Sequence, residues 1–244
     1  MYRTKAETSG LTRRDWLAAT TVLAATTLGA TKARSETRPS AKGKPIPVAV
    51  LLGTGATLID FAGPWEVLSS VAYAGVPGFD VYSVAASRAP IVADDGRATT
   101  HMGPRSGLSV VPDYTFGTAP MPRIVVMGGQ ADDEPGKLEW IRHVARKAEL
   151  TTSVCTGAFV LARTGLLDGQ QATTNRNAYD AFAKKFPKVR LVRGVRFVES
   201  GKFVTATGLT AGIDLALHLT QRFYGRKVAQ DIADYEEWPG KSWM

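Results

Sequence analysis

Cysteine is almost missing from this 244-residue chain, which holds a single one, Cys155. An internal disulfide framework is therefore excluded, and with it the small stapled scaffolds of secreted proteins. Histidine is nearly as scarce, at three residues. No Cys and His spacing has the form of a metal site, so no metal is expected. Neither GxGxxG nor GxxxxGK(S/T) occurs, so nothing calls for a nucleotide, and no cofactor is expected. Long apolar runs are absent as well. The run from Trp16 to Ala30 is diluted by threonines and too short to span a bilayer. No internal repeat or low-complexity tract is present. What remains is ordinary globular material: 44% hydrophobic and 21% charged residues exclude a largely disordered chain. The length suits one domain with a full core.

The net charge of +8 suggests a nucleic-acid partner until it is located. Residues 1–33 hold five basic and two acidic side chains, and residues 34–44 hold four basic and one acidic, which leaves +2 for the rest. The folded body is close to neutral, so the charge argument for nucleic acid falls away. The basic leader has its own meaning. Arg13 and Arg14 stand directly before the mild apolar run, the pattern of a twin-arginine (Tat) signal. Ala30 and Ala33 offer cleavage points without a clean Ala-x-Ala. An ordinary amphipathic helix is the alternative, but no amphipathic pattern continues beyond the run. The expectation is a signal peptide over 1–33, a Ser/Pro/Lys linker over 34–45 and one domain over 46–244. The protein is then periplasmic or secreted, with no stable membrane insertion once the signal is removed. A chain without disulfides fits a route that exports folded proteins.

In the body, Ile46–Leu52 is a continuous apolar run ended by Gly53, which predicts a strand buried on both faces of a parallel sheet. Further strands are predicted at 79–85, 123–127, 150–154 and 172–174. A hairpin is predicted with its turn at Glu199–Lys202. Helices are predicted at 60–73, with Pro64 in the first turn, and at 135–147, 156–164, 178–185, 211–224 and 226–235. Residues 86–122 are broken by Gly and Pro and read as an excursion at the sheet edge. Strands alternating with helices imply a doubly wound α/β layer, in which ligands bind beyond the carboxyl ends of the strands.

Three features fall at those ends. Ser153-Val154-Cys155-Thr156-Gly157 joins a buried strand to a helix, the logic of a nucleophile elbow. A helix N-terminus behind the sulfur favours thiolate, although a free cysteine is also at home as a small buried hydrophobe. Gly128-Gly129 lets backbone N–H groups approach a ligand, and with the N–H of Thr156 it suits an oxyanion hole. Asp60 is either a helix cap or the acid facing Cys155 across neighbouring strand ends. Glu66 is a poorer candidate. His101 and His143 fall on the irregular excursion and an amphipathic helix, and His218 is read as bonded to Asp214 one turn away.

The segments IDFAGPWEVL (59–68), VMGG (126–129), SVCTGAFVLARTGLLDGQQATT (153–174) and TATGLTAGIDLALHL (205–219) resemble the ThiJ/PfpI superfamily, also described as class I glutamine amidotransferase-like. The likeness is to the branch that holds isonitrile hydratases and the N-terminal domains of AraC-type regulators. It implies a flavodoxin-like three-layer α/β sandwich with a mostly parallel central sheet, usually as a homodimer. It implies Cys155 as nucleophile, Asp60 as the acid near the sulfur, Thr156 as the residue after the nucleophile and Gly129 in the oxyanion loop. The implied activity is a hydratase or lyase acting on a small molecule. Thr156 stands where peptidase members have His, which argues against proteolysis. Asn175-Arg176 stands where hydratase members often have His-Trp, which marks Asn175 as a pocket residue and leaves the substrate open. The regulators continue into a helix-turn-helix domain, so a transcription role is not expected here. A non-catalytic ligand-binding or redox-responsive protein and a glyoxalase- or deglycase-like enzyme are the alternatives.

Overall fold

The computed structural model describes residues 43–93, 107–131 and 134–244. The chain divides into residues 1–38 and 39–244. The twin-arginine segment and His101 lie outside the described residues.

The apolar run Ile46–Leu51 forms β1, buried at all but one position. It lies between two parallel partners, β2 (Phe79–Ala85) and β6 (Ile124–Met127), with Ile46 opposite Phe79 and Val48 opposite Ile124. Between them in sequence, β3 (Ile91–Ala93) and β4 (Leu108–Val110) form a separate antiparallel pair, and β5 (Tyr114–Thr115) joins the edge beside β2. The expected excursion at the sheet edge is therefore present among the described residues.

β7 (Leu150–Val154) follows parallel to β6, and β11 (Phe203–Ala206) pairs parallel to β7. β8 (Gln171–Ala172) pairs with β9 (Arg190–Leu191) in a second small sheet. It starts one residue before the expected strand and stops short of Thr173. β10 (Phe197–Ser200) is antiparallel to β11, and the turn between them contains Gly201 at φ +61°. The main sheet has seven strands in the order β10-β11-β7-β6-β1-β2-β5, with β10 alone reversed. The mostly parallel sheet expected from the sequence is the one observed.

Helices α1 (Leu58–Ser70) and α5 (Ala211–Tyr235) supply Phe61, Val67, Leu215 and Leu219 to the core on one face. Helices α2 (Lys137–Lys147), α3 (Gly157–Arg163) and α4 (Tyr179–Lys185) supply Ile141, Leu161 and Phe182 to the other. Burial of both sheet faces explains the apolar runs of β1 and β6. Helix α5 joins the two helices expected at 211–224 and 226–235, with the break at Gly225, whose φ of +85° and ψ of 166° are not helical.

Helix α1 corrects one expectation. It begins at Leu58, so Pro64 lies inside it rather than in its first turn. Its missing N–H leaves the Asp60 carbonyl without the usual helical donor. In exchange, the ring packs into the space left by Gly212, where a Cβ would stand 3.0 Å from Pro64 Cγ.

Candidate active site

The strand ends bring five expected residues together. β7 stops at Val154, and Cys155 turns the chain into α3 at φ +59°. That conformation is uncommon for a residue with a side chain and is retained only where neighbours hold it. Here they do so on two sides. The Cys155 N–H donates to the carbonyls of Ala206 (3.2 Å), the last residue of β11, and of Thr207 (2.7 Å), the next one. The Cys155 carbonyl accepts Thr174 Oγ1 at 2.9 Å. Gly157 permits the turn: a Cβ there would lie 2.4 Å from the Met127 carbonyl oxygen and 2.8 Å from that of Gly128.

Asp60 reaches the same place from α1. It is fully buried, and its Oδ2 accepts the Gly129 N–H at 2.9 Å. Its Oδ1 is buried without a hydrogen-bond partner. Burial pushes its pKa up to about 6, opposed by the Gly129 N–H, the Cys155 side chain and the Leu209 N–H. This excludes the cap reading of Asp60, because the N-cap position belongs to Thr57. Gly128 lets α1 and the loop meet, since a Cβ there would stand 2.7 Å from Asp60 Cβ. The Thr57 N–H ties α1 back to the Gly129 carbonyl at 2.8 Å.

Two expectations need correction. The Gly129 N–H is donated to the Asp60 carboxyl, so it does not stand free beside the Thr156 N–H as the expected oxyanion-hole donor. The thiol pKa is raised, not lowered: burial dominates and the Asp60 charge adds to it. Three donors oppose these effects, namely the Asn175 side chain and the N–H groups of Thr156 and Leu209. Asn175 Nδ2 lies 3.3 Å from Sγ, while its Oδ1 accepts the Asn177 N–H at 2.9 Å and so fixes the amide's orientation.

Leu209 is the contributor that sequence reasoning missed. It stands at φ +54° between β11 and α5, and its N–H acts on both Asp60 and Cys155. A backbone donor leaves no trace in residue type. The usable signal was topological, because the segment after β11 must lie beside the end of its parallel neighbour β7. Gly208, just before it, leaves room for Asn175, whose Nδ2 would be 2.7 Å from a Cβ at that position.

The remaining candidates lie elsewhere. Glu66 is exposed. His218 Nε2 pairs with Glu199 Oε2 at 2.8 Å instead of Asp214, and Asp214 Oδ2 accepts Arg196 Nε at 2.8 Å. Among the described residues no group of three His, Cys, Asp or Glu side chains is placed to hold a metal ion, and no helix is long and apolar enough to cross a membrane.

A mostly parallel three-layer α/β domain with a cysteine elbow facing a buried carboxyl defines the class. Residues 47–222 match the DJ-1/PfpI family, and the chain belongs to it. It is 31% identical to isonitrile hydratase of Pseudomonas putida across 75% of this chain and 74% of that enzyme. It is 34% identical to the HTH-type transcriptional regulator CdhR of Pseudomonas aeruginosa, but over only 41% of this chain and 30% of the regulator. Among solved structures, a ThiJ/PfpI family protein from Pseudomonas syringae superposes with a TM-score of 0.66 at 25% identity, covering 90% of this chain and 85% of that one.

Proposed function

We propose that this protein hydrates small isocyanides to N-substituted formamides at Cys155, and that it does so after twin-arginine export. One observation carries the catalytic reading. A buried thiol at a strained elbow shares its site with a carboxyl whose pKa is about 6 and whose Oδ1 has no hydrogen-bond partner. Such a carboxyl is poised to take a proton and return it near neutral pH. The likeness to isonitrile hydratase over three-quarters of both chains supports the choice of substrate.

The proposed cycle starts with transfer of the thiol proton to Asp60. The thiolate is held by Asn175 Nδ2 and the N–H groups of Thr156 and Leu209. It attacks the terminal carbon of R–N≡C, and Asp60 returns the proton to that carbon, giving a thioimidate. Water then adds to the carbon, the nitrogen takes up a proton, and the C–S bond breaks to release R–NH–CHO and the thiol. One water is consumed, and nothing is oxidised or reduced. Gly129 serves by holding Asp60 Oδ2, which leaves Oδ1 for the proton.

The test is a panel of isocyanides, α-oxoaldehydes and amides, assayed with the wild type and with Cys155→Ala. Turnover of isocyanides by the wild type and its loss, by about 10³-fold or more, in the variant is the expected result. Unchanged turnover in Cys155→Ala, or a wild type that acts on aldehydes or amides alone, overturns the proposal.

A further inference from the structure

A cavity of about 600 Å³ is walled by the turn Asn175–Tyr179, the segment Gly194–Arg196 and the loop Thr207–Thr210; Cys155 does not line it, and Asn175 is the wall residue that reaches the thiol. The cavity's size is that of a small-molecule site. Asn175 belongs to both places, lining the cavity while its Nδ2 touches Sγ. No acidic side chain lines the cavity.

Three arginines stand around it, and two of them are neutralised. Arg193 lies over the Tyr179 ring, 5.1 Å from its centroid, and pairs with Asp180 at 2.6 Å. Arg196 is held by buried Asp214 through Nε at 2.8 Å and a second contact from Nη2, which also reaches Thr210 Oγ1 at 3.3 Å. Arg176 lines the cavity and has no carboxylate partner among the described residues. A planar guanidinium without a counter-ion in the wall of a concave site is matched by a planar carboxylate, which it binds through two parallel hydrogen bonds.

We propose that the molecule bound here carries a carboxylate, held by Arg176, with its reacting carbon at Cys155. Arg176, itself exposed, lines the same cavity as Asn175, the residue that touches the sulfur, so one wall carries both the anion anchor and the contact to the thiol. On the reading given above, on which the reacting end of this inference rests, the substrate is a small isocyano carboxylate rather than a neutral alkyl isocyanide. Hydration of isocyanoacetate then adds one water to the terminal carbon and gives N-formylglycine.

Two measurements test this separately. The first is the ratio of kcat/KM for isocyanoacetate to that for its methyl ester, in the wild type and in Arg176→Gln. The wild type should favour the acid by about tenfold or more, a preference carried in KM, and the ratio should collapse toward one in the variant. Equal ratios in the two proteins overturn the proposal. The second is calorimetric binding of N-formylglycine and its methyl ester, which needs no chemistry. Tighter binding of the acid, lost in Arg176→Gln and partly kept in Arg176→Lys, supports the anion site. Equal binding of acid and ester, or binding of neither, overturns it. Acid-selective binding with no isocyanide turnover sinks the hydratase reading and leaves the anion site standing.

Discussion

At the scale of single residues, the site is a contest between burial and hydrogen bonding, and burial wins for both groups. Asp60 has three stabilising contacts and still has its pKa lifted to about 6. A carboxyl whose folded pKa exceeds its unfolded value of about 4 weakens the fold wherever it is ionised. The penalty is absent below about pH 4 and complete above about pH 6. Asp60→Asn should therefore stabilise the fold at pH 8 by about 2–3 kcal/mol while abolishing turnover, since Asn Oδ1 can still accept the Gly129 N–H. Urea unfolding of both proteins at pH 8 and pH 4 checks this: the gain must shrink toward the acid side, and a variant less stable at pH 8 contradicts it. Cys155 and Asp60 were legible in the sequence because both fall where strand ends converge. The direction of the thiol shift was not. The helix N-terminus was given more weight than burial and the facing acid, whereas α3 spans only seven residues and desolvation and the Asp60 charge outweigh it.

At the scale of elements, the strands were the most legible part: burial on both sheet faces writes β1 and β6 as unbroken apolar runs, and β7 was read through its buried Thr151, Thr152 and Ser153. Helix ends and loop roles were less so. The start of α1 was displaced by treating Pro64 as a first-turn residue, when packing against Gly212 outweighs the lost hydrogen bond. The role of the loop after β11 was hidden because it acts through the Leu209 N–H. The partners of His218 and Asp214 were misassigned because proximity along one helix was preferred over contacts from β10 and the segment before it. The crossing of α3 over the end of β6 depends on Gly157. With a Cβ forced to 2.4 Å from a backbone oxygen, Gly157→Ala should cost about 1–3 kcal/mol and misplace the elbow. A lowered urea midpoint together with slowed alkylation of Cys155 is the expected pair of results. An unchanged midpoint would show that the crossing has slack.

At the scale of the whole molecule, two absences shape the account. The body is close to neutral because the excess basic charge sits in residues 1–44, the stretch proposed above as an export leader and the start of its linker. A reporter fused after residue 38 should reach the periplasm with Arg13 and Arg14 present and stay in the cytoplasm when both are changed to Lys. Equal export of the two forms would count against the assignment. The second absence is of any cysteine besides Cys155, so every thiol signal from the folded protein reports on the site. The central claim is that Asp60 and Cys155 behave as one proton-sharing unit. Its most direct test is the pH dependence of Cys155 alkylation by iodoacetamide in the wild type and in Asp60→Asn. Because the Asp60 charge helps to hold the thiol pKa up, the inflection should move to lower pH in the variant. An inflection that stays in place, or moves up, would contradict the coupling.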